Sequence, residues 1–230
     1  MTKTRAELKA EAKALLRGHW GTAILLNLIP NILTFVLWFV IVWTGMFRDD
    51  VSILAWLFQV LSRIVATLAA VGVSLTYLRW LRDPQRKIRP FRDPFFTFDA
   101  GWFVPLLVLA IGIYVYTTLW SMLFLIPGLI KSFSYSQAYL IYQDDRLAGQ
   151  KPVTPLATIT RSRELMYGHK MDYFILMLSF LGWDILGVLT LGIGFLWIAP
   201  YQSATYAAFY NDLVQTKAQK QTANDEQPTA

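Results

Sequence analysis

The chain has no cysteine, only two histidines, and charged residues at 16% of its 230 positions. The first absence excludes disulfides, zinc-thiolate sites and thiol nucleophiles, although it assigns no redox compartment. The second leaves His19 and His169 without a carboxylate pair beside them. That is a weak metal signal, and anchoring at a membrane interface is the simpler reading. No His-Glu-x-x-His, Gly-x-Ser-x-Gly or Gly-rich phosphate loop with Lys-Ser/Thr occurs, so no catalytic residue, metal or cofactor is assigned and no enzyme is expected. The third scarcity accompanies 55% hydrophobic residues and a mean hydropathy of +0.41, with the apolar residues in continuous runs. A globule of this length does not usually bury so much apolar surface, so the composition predicts a membrane protein.

The net charge of +6 is informative through its placement. Lysines and arginines concentrate in residues 3–17, 79–92 and 146–170 and at Lys217 and Lys220, leaving Arg48, Arg63 and Lys131 elsewhere. This asymmetry is the positive-inside signal and predicts both termini in the cytoplasm. The basic segments determine topology first and bind anionic lipid headgroups as a secondary consequence. No nucleic-acid partner is expected, because no soluble basic domain with interleaved aromatics is present. The long basic start, a first apolar run of about 26 residues and no small-x-small site argue against a cleavable signal peptide.

Six spans are predicted, at 20–45, 52–80, 101–126, 127–142, 171–190 and 193–211, with an external turn at Arg48, Asp49 and Asp50. Residues 4–17 read as an amphipathic helix opened by the capping box Thr4-x-x-Glu7, with Leu8, Ala12, Leu15 and Leu16 on one face. That helix is expected to lie along the cytoplasmic surface. Pro127-Gly128 stops one span and opens the next, and Thr154-Pro155 starts a second basic amphipathic helix. Residues 214–230 read as a disordered polar tail.

A motif recurs three times, Ser-x2-Tyr-x2-aromatic-x2-Asp: Ser74, Tyr77, Trp80, Asp83; Ser136, Tyr139, Tyr142, Asp145; Ser203, Tyr206, Phe209, Asp212. A small residue (Ala70, Ser132, Ala199) precedes each serine by four, which reads as a close-packing stripe. Leu15-Leu16-x-Gly18-His19 also matches Leu165-Met166-x-Gly168-His169. The fold expected is therefore all-α and polytopic: one membrane domain, 1–213, of three hairpin units (1–83, 84–145, 146–213), each led by a cytoplasmic amphipathic helix. Parallel repeats imply a pseudo-axis along the membrane normal.

Arg63, Lys131 and Asp184 are the ionisable residues inside the spans. A charge there costs about 2.5 to 3.5 kcal/mol on insertion scales, so such residues face protein or water and find partners. Their depths allow contact, which makes them the candidate polar binding site. The structural alternative has Lys131 snorkelling and Asp184 neutralising Arg63 or Lys131.

Three blocks, Ile126-Pro127-Gly128-x-Ile130-Lys131-Ser132, Ser162-Arg163-Glu164-Leu165-Met166-x-Gly168-His169-Lys170, and Leu189 to Gly194 with Pro200-Tyr201-x-Ser203-Ala204-Thr205-Tyr206-Ala207, resemble domain-of-unknown-function family 975. The resemblance implies a bacterial inner-membrane protein of about six helices and supplies no mechanism. The chain is more distantly similar to the membrane domain attached to some glycerophosphodiester phosphodiesterases; without a hydrolase-like segment here, no such activity is implied. The function expected is a transporter-like or amphiphile-binding module with a polar site between helices. Its rival is a non-transporting accessory or scaffold protein that binds a protein partner.

Overall fold

The computed structural model describes residues 2–46, 53–149 and 154–225, and it is 83% helix with no strand among the described residues. The order is α1 (Arg5–Leu16), α2 (Trp20–Met46), α3 (Ile53–Arg82), a 3-10 helix (Asp93–Phe98), α4 (Ala100–Leu123), α5 (Leu125–Tyr135), α6 (Ala138–Leu147), α7 (Pro155–Leu165), α8 (Lys170–Leu178), α9 (Leu181–Leu189) and α10 (Phe195–Asp225). Four stretches are long and apolar enough to cross a membrane: Trp20–Val40, Leu57–Arg82, Ala100–Leu123, and Lys170–Leu189 across the α8–α9 joint. The expected spans 127–142 and 193–211 do not qualify. The first is broken into α5 and α6 at Ser136–Gln137, and α6 runs on into Gln143, Asp144 and Asp145, while α10 mixes its apolar start with a polar continuation. The expected turn at Arg48, Asp49 and Asp50 lies outside the described residues, as do residues 226–230.

The capping box at Thr4 and Glu7 forms as the sequence predicts, with the Glu7 amide donating to Thr4 Oγ1 and the Thr4 amide donating to Glu7 Oε2. Those Thr4 bonds, backbone first and then hydroxyl, hold the Glu7 carboxyl below the usual carboxylate range. The apolar stripe of α1 faces protein, however, and not a bilayer surface. Leu8, Ala12 and Leu16 are fully buried, and Leu8 packs with Ala208, Phe209 and Leu213 of α10. Thr2 meets Asp212 while Lys13 sits 5.8 Å from the Tyr201 ring, so α1 runs antiparallel along α10. Lys9 adds a tie to the α8–α9 joint, donating to the Ser179 carbonyl at 3.1 Å and lying 4.2 Å from the Phe180 ring. Burial, then the neighbouring Arg5 and Lys13, pulls the Lys9 ammonium below its ordinary pKa.

Gly18 and Gly168 explain the matching Gly-His steps, because both adopt positive φ, 82° and 81°, where a side chain would be strained. Each turns the chain sharply from an amphipathic helix into the next apolar one. The break near Pro127 falls three residues earlier than expected: Phe124 is extended, and Pro127 sits in the first turn of α5. Gly128 then allows α5 to press on Ser121 of α4. Thr154 precedes α7 as its N-cap, although its side chain makes no capping bond. The polar sequence after Leu213 is helical through Asp225, where composition predicts disorder. Its first turn is held by Thr216, whose buried hydroxyl donates to the Asp212 carbonyl.

The segment after α3 folds back on it through the 3-10 helix, with Thr97 Oγ1 donating to the Leu68 carbonyl and Thr76 Oγ1, which donates to the Gly72 carbonyl at 2.7 Å, lying 3.2 Å from the Asp93 carbonyl. Gly72 is the contact point: a Cβ there would overlap the Pro94 carbonyl, a backbone group with no rotamer to yield. Gly72→Ala is expected to cost about 1 to 3 kcal/mol through overpacking, read as a lower thermal midpoint in detergent. Gly21→Ala, which meets open space in α2, should leave the midpoint unchanged or raise it. Equal midpoints for the two variants would show that the close approach is not structural.

Candidate functional site

The three intramembrane charges of the sequence do not pair with one another. Arg63 is exposed on α3, Lys131 Nζ sits 4.3 Å from the Trp120 ring, and Asp184 Oδ1 accepts from Gln202 Nε2 at 2.7 Å. No ion pair joins any two of them. The histidines also go separate ways: His19 packs edge-on to Trp80 at 5.9 Å, and His169 Nδ1 lies 3.1 Å from Asp172 Oδ2.

A polar cavity forms elsewhere, between α2, α3 and α10. It is a half-open space of about 170 Å³ lined by Asn27, Asn31, Thr34, Ser74 and Ser203 together with Pro30, Ala66, Ala70 and Val73. Buried Asn27 organises it. Its Nδ2 donates to the Ala23 carbonyl and to the Tyr77 hydroxyl at 2.7 Å, and its Oδ1 accepts from Ser203 Oγ at 3.3 Å. Two motif serines and one motif tyrosine therefore meet at this cavity. Ala70 and Ser74 are exposed at its opening, so they form part of a concave wall and not the close-packing stripe that their spacing predicts. Pro30 adds a further polar group, since it cannot donate to the Leu26 carbonyl one turn back.

The motif aromatics and aspartates mark one charged end of the bundle. Each third-position aromatic packs on a ring at or near the start of an earlier helix: Trp80 on His19, just before α2, Tyr142 on Trp102 of α4 at 6.1 Å, and Phe209 on Tyr173 of α8 at 5.1 Å. Ser136 donates to the Phe133 carbonyl, Tyr139 is half-buried, and Tyr206 stacks near Tyr173 at 5.7 Å. Asp145 pairs with Arg161 of α7. Asp212, fully buried, accepts from the amides of Thr2 and Lys3 and from the Thr2 hydroxyl at 2.6 Å. Asp83 is exposed.

The residues one position before these aspartates escaped the sequence reading, and the structure joins them directly. Arg82 donates to both Asp144 carboxylate oxygens, at 2.6 and 2.9 Å, and through Nε to Asn211 Oδ1 at 3.0 Å; the Tyr210 hydroxyl completes the cluster on Asp144 at 2.8 Å. Beside it, Trp102 lies between the guanidiniums of Arg146 (4.2 Å) and Arg79 (5.4 Å), and the Arg146 guanidinium donates to the Gly101 carbonyl. A bidentate, charge-assisted arrangement of this kind fixes geometry more strongly than a single contact.

The family described as "Protein of unknown function (DUF975)" matches residues 1–134 and 122–217, and the chain belongs to that uncharacterised family. No curated protein and no solved structure matches it.

These contacts separate two pairs by experiment. Arg82 and Asp144 share two hydrogen bonds, so a double-mutant cycle with Arg82→Leu and Asp144→Leu should show a coupling of about 0.5 to 3 kcal/mol in stability. Lys131 and Asp184 have different partners, so Lys131→Leu and Asp184→Leu should add within about 0.3 to 0.5 kcal/mol. Strong coupling in the second cycle would restore the charge-paired site that the sequence suggested.

Proposed function

We propose that this protein is a six-crossing module of three hairpin units in a bacterial cytoplasmic membrane, with both termini in the cytoplasm, that binds an amphiphile between α2, α3 and α10 and catalyses no reaction. The cavity of Asn27, Asn31, Ser74 and Ser203 carries this reading. At 1.5 Å per residue, its α2 residues lie about 10 to 20 Å from Trp20 and its α3 residues about 12 to 24 Å from Arg82, so it sits at hydrocarbon depth. Polar side chains lining a concave, half-open space at that depth are retained where they serve a ligand or a path.

Six crossings are supported by the way each hairpin returns. The end of α3 meets the start of α2, α6 reaches the Gly101 carbonyl at the start of α4, and Phe209 of α10 meets Tyr173 of α8. If α2, α4 and the α8–α9 pair cross, their partners recross. The three-unit reading is supported by a cyclic order of contacts: the 3-10 helix packs on α3, α7 on α6, and α1 on α10, so each unit's leading element rests on the second limb of the unit before it. The basic loops at that end would then meet anionic headgroups.

Two measurements test the proposal. In this cysteine-free chain, Gly192→Cys should be labelled by an impermeant thiol reagent added outside the cell, and Gln85→Cys should not; the reverse pattern would overturn the orientation. Protein purified in mild detergent should retain an amphiphile detectable by mass spectrometry. Asn27→Leu, which removes the group holding Tyr77 and Ser203, should lower that retention without loss of folded yield. Equal retention by the variant would remove the cavity from the binding reading.

A further inference from the structure

The hydrogen bonds around the α2–α3–α10 cavity determine which chemistry remains available to a ligand. Thr34 Oγ1 donates to the Asn31 carbonyl, Ser74 Oγ to the Ala70 carbonyl, and Ser203 Oγ to Asn27 Oδ1. A hydroxyl has a single proton, so each of the three is left as an acceptor. Both Asn27 amide protons are likewise committed, to Ala23 and Tyr77. The Asn31 carboxamide makes no side-chain hydrogen bond among the described residues, and it is exposed at the cavity mouth inside the apolar stretch Trp20–Val40. An unpartnered amide at that depth is unfavourable unless something hydrogen-bonds to it.

The lining therefore offers mostly acceptors and contains no ionisable side chain. Acceptors repel a phosphate or carboxylate, and an ammonium would stay uncompensated because no carboxylate lines the space. What complements this wall is an uncharged group rich in O–H donors. A half-open cavity of about 170 Å³ has room for a small polar headgroup such as that of glycerol. The mouth at Asn31, Ala70 and Ser74 is exposed on the flank of the bundle, where acyl chains would pass into the bilayer.

The Asn27 amide has no counterpart at the matching positions of the other two segments. Asn27 stands nine residues after Gly18, and the positions nine after Gly101 and Gly168 are Ala110 and Met177.

We propose that the α2–α3–α10 cavity binds the uncharged hydroxyl headgroup of a diacylglycerol-type lipid, entering sideways from the bilayer. This rests on the amphiphile-binding reading above and specifies its ligand. The test uses the full chain in nanodiscs with dioleoylglycerol, oleate or oleylamine as probes, bound lipid being quantified by native mass spectrometry. Dioleoylglycerol should bind at least about tenfold more tightly than oleate or oleylamine. Asn31→Leu and, separately, Ser74→Ala should each weaken it about tenfold, the effect of roughly one lost hydrogen bond, whereas Ser132→Ala should not. Failure of all three probes to bind would overturn the amphiphile reading along with this one. Preference for oleate or oleylamine, or binding insensitive to both cavity variants, would overturn the headgroup assignment and leave amphiphile binding standing. Displacement of dioleoylglycerol by free glycerol would overturn lateral entry, and disulfide-linked dimers of Asn31→Cys would show that a second copy covers the mouth.

Discussion

The bundle is organised at one point, where the Arg82 guanidinium is held by the Asp144 carboxylate and the Asn211 amide. These side chains come from α3, α6 and α10, the second limbs of the three proposed units, and they are half-exposed or better buried. The value of such a cluster is geometric. A guanidinium offers five donors in a fixed plane, and satisfying two faces of it sets both the separation and the rotation of the helices that supply the acceptors. Tyr210 fixes the remaining freedom of Asp144. With α3, α6 and α10 joined at this end, the aromatic contacts Trp80–His19, Tyr142–Trp102 and Phe209–Tyr173 tie the beginnings of α2, α4 and α8 to them.

Neighbouring aspartates extend that organisation outward. Asp145 holds α7 through Arg161, and Asp212 holds the segment leading into α1 through the backbone of Thr2 and Lys3. Asp212 in particular is buried with its three donors, and a buried carboxylate is tolerated only when so satisfied. The exposed Asp83 has no equivalent task, because the 3-10 helix is held on α3 by Thr76, Thr97 and the stacking of Arg79 on Phe96 instead. Two junctions are held through carboxylates, and the third through threonine hydroxyls and a cation over a ring, with Gly72 letting Pro94 approach.

Much of this was legible from residue pattern. The capping box and the Gly-His turns correspond to structural features, and of the recurring positions Ser203, Tyr77, Asp145 and Asp212 make contacts between helices or chain segments. Three misreadings have physical causes. The stripe of α1 was assigned to a lipid surface because amphipathicity reports that a face is covered, not by what. The charges Arg63, Lys131 and Asp184 were grouped by depth, but depth fixes only one coordinate of a helix position, and rotation about the helix axis decides which neighbour is met. The Arg82, Asp144 and Asn211 cluster was missed because the pattern was sought as identity. In the three-unit reading, equivalent positions face one another across the pseudo-axis, where three like charges would repel. Residues there must become complementary, and complementarity erases the similarity by which a repeat is recognised.

The same reasoning bears on where a ligand can be held. In the proposed three-unit scaffold, a site needs only one place that departs from apolar packing, as Asn27 does between α2, α3 and α10, whereas Ala110 and Met177 stand at the matching sequence positions. Neutral groups suit this better than charges. When the cavity is empty, Asn27, Tyr77 and Ser203 satisfy one another, whereas a buried charge would be left exposed to the low-dielectric interior each time the ligand departs. Lys131 meets that constraint by lying over Trp120, and Asp184 by accepting from Gln202, both away from the cavity. The division follows from desolvation: ions in this protein fix helices to one another, and uncharged amides and hydroxyls are left to face whatever enters between them.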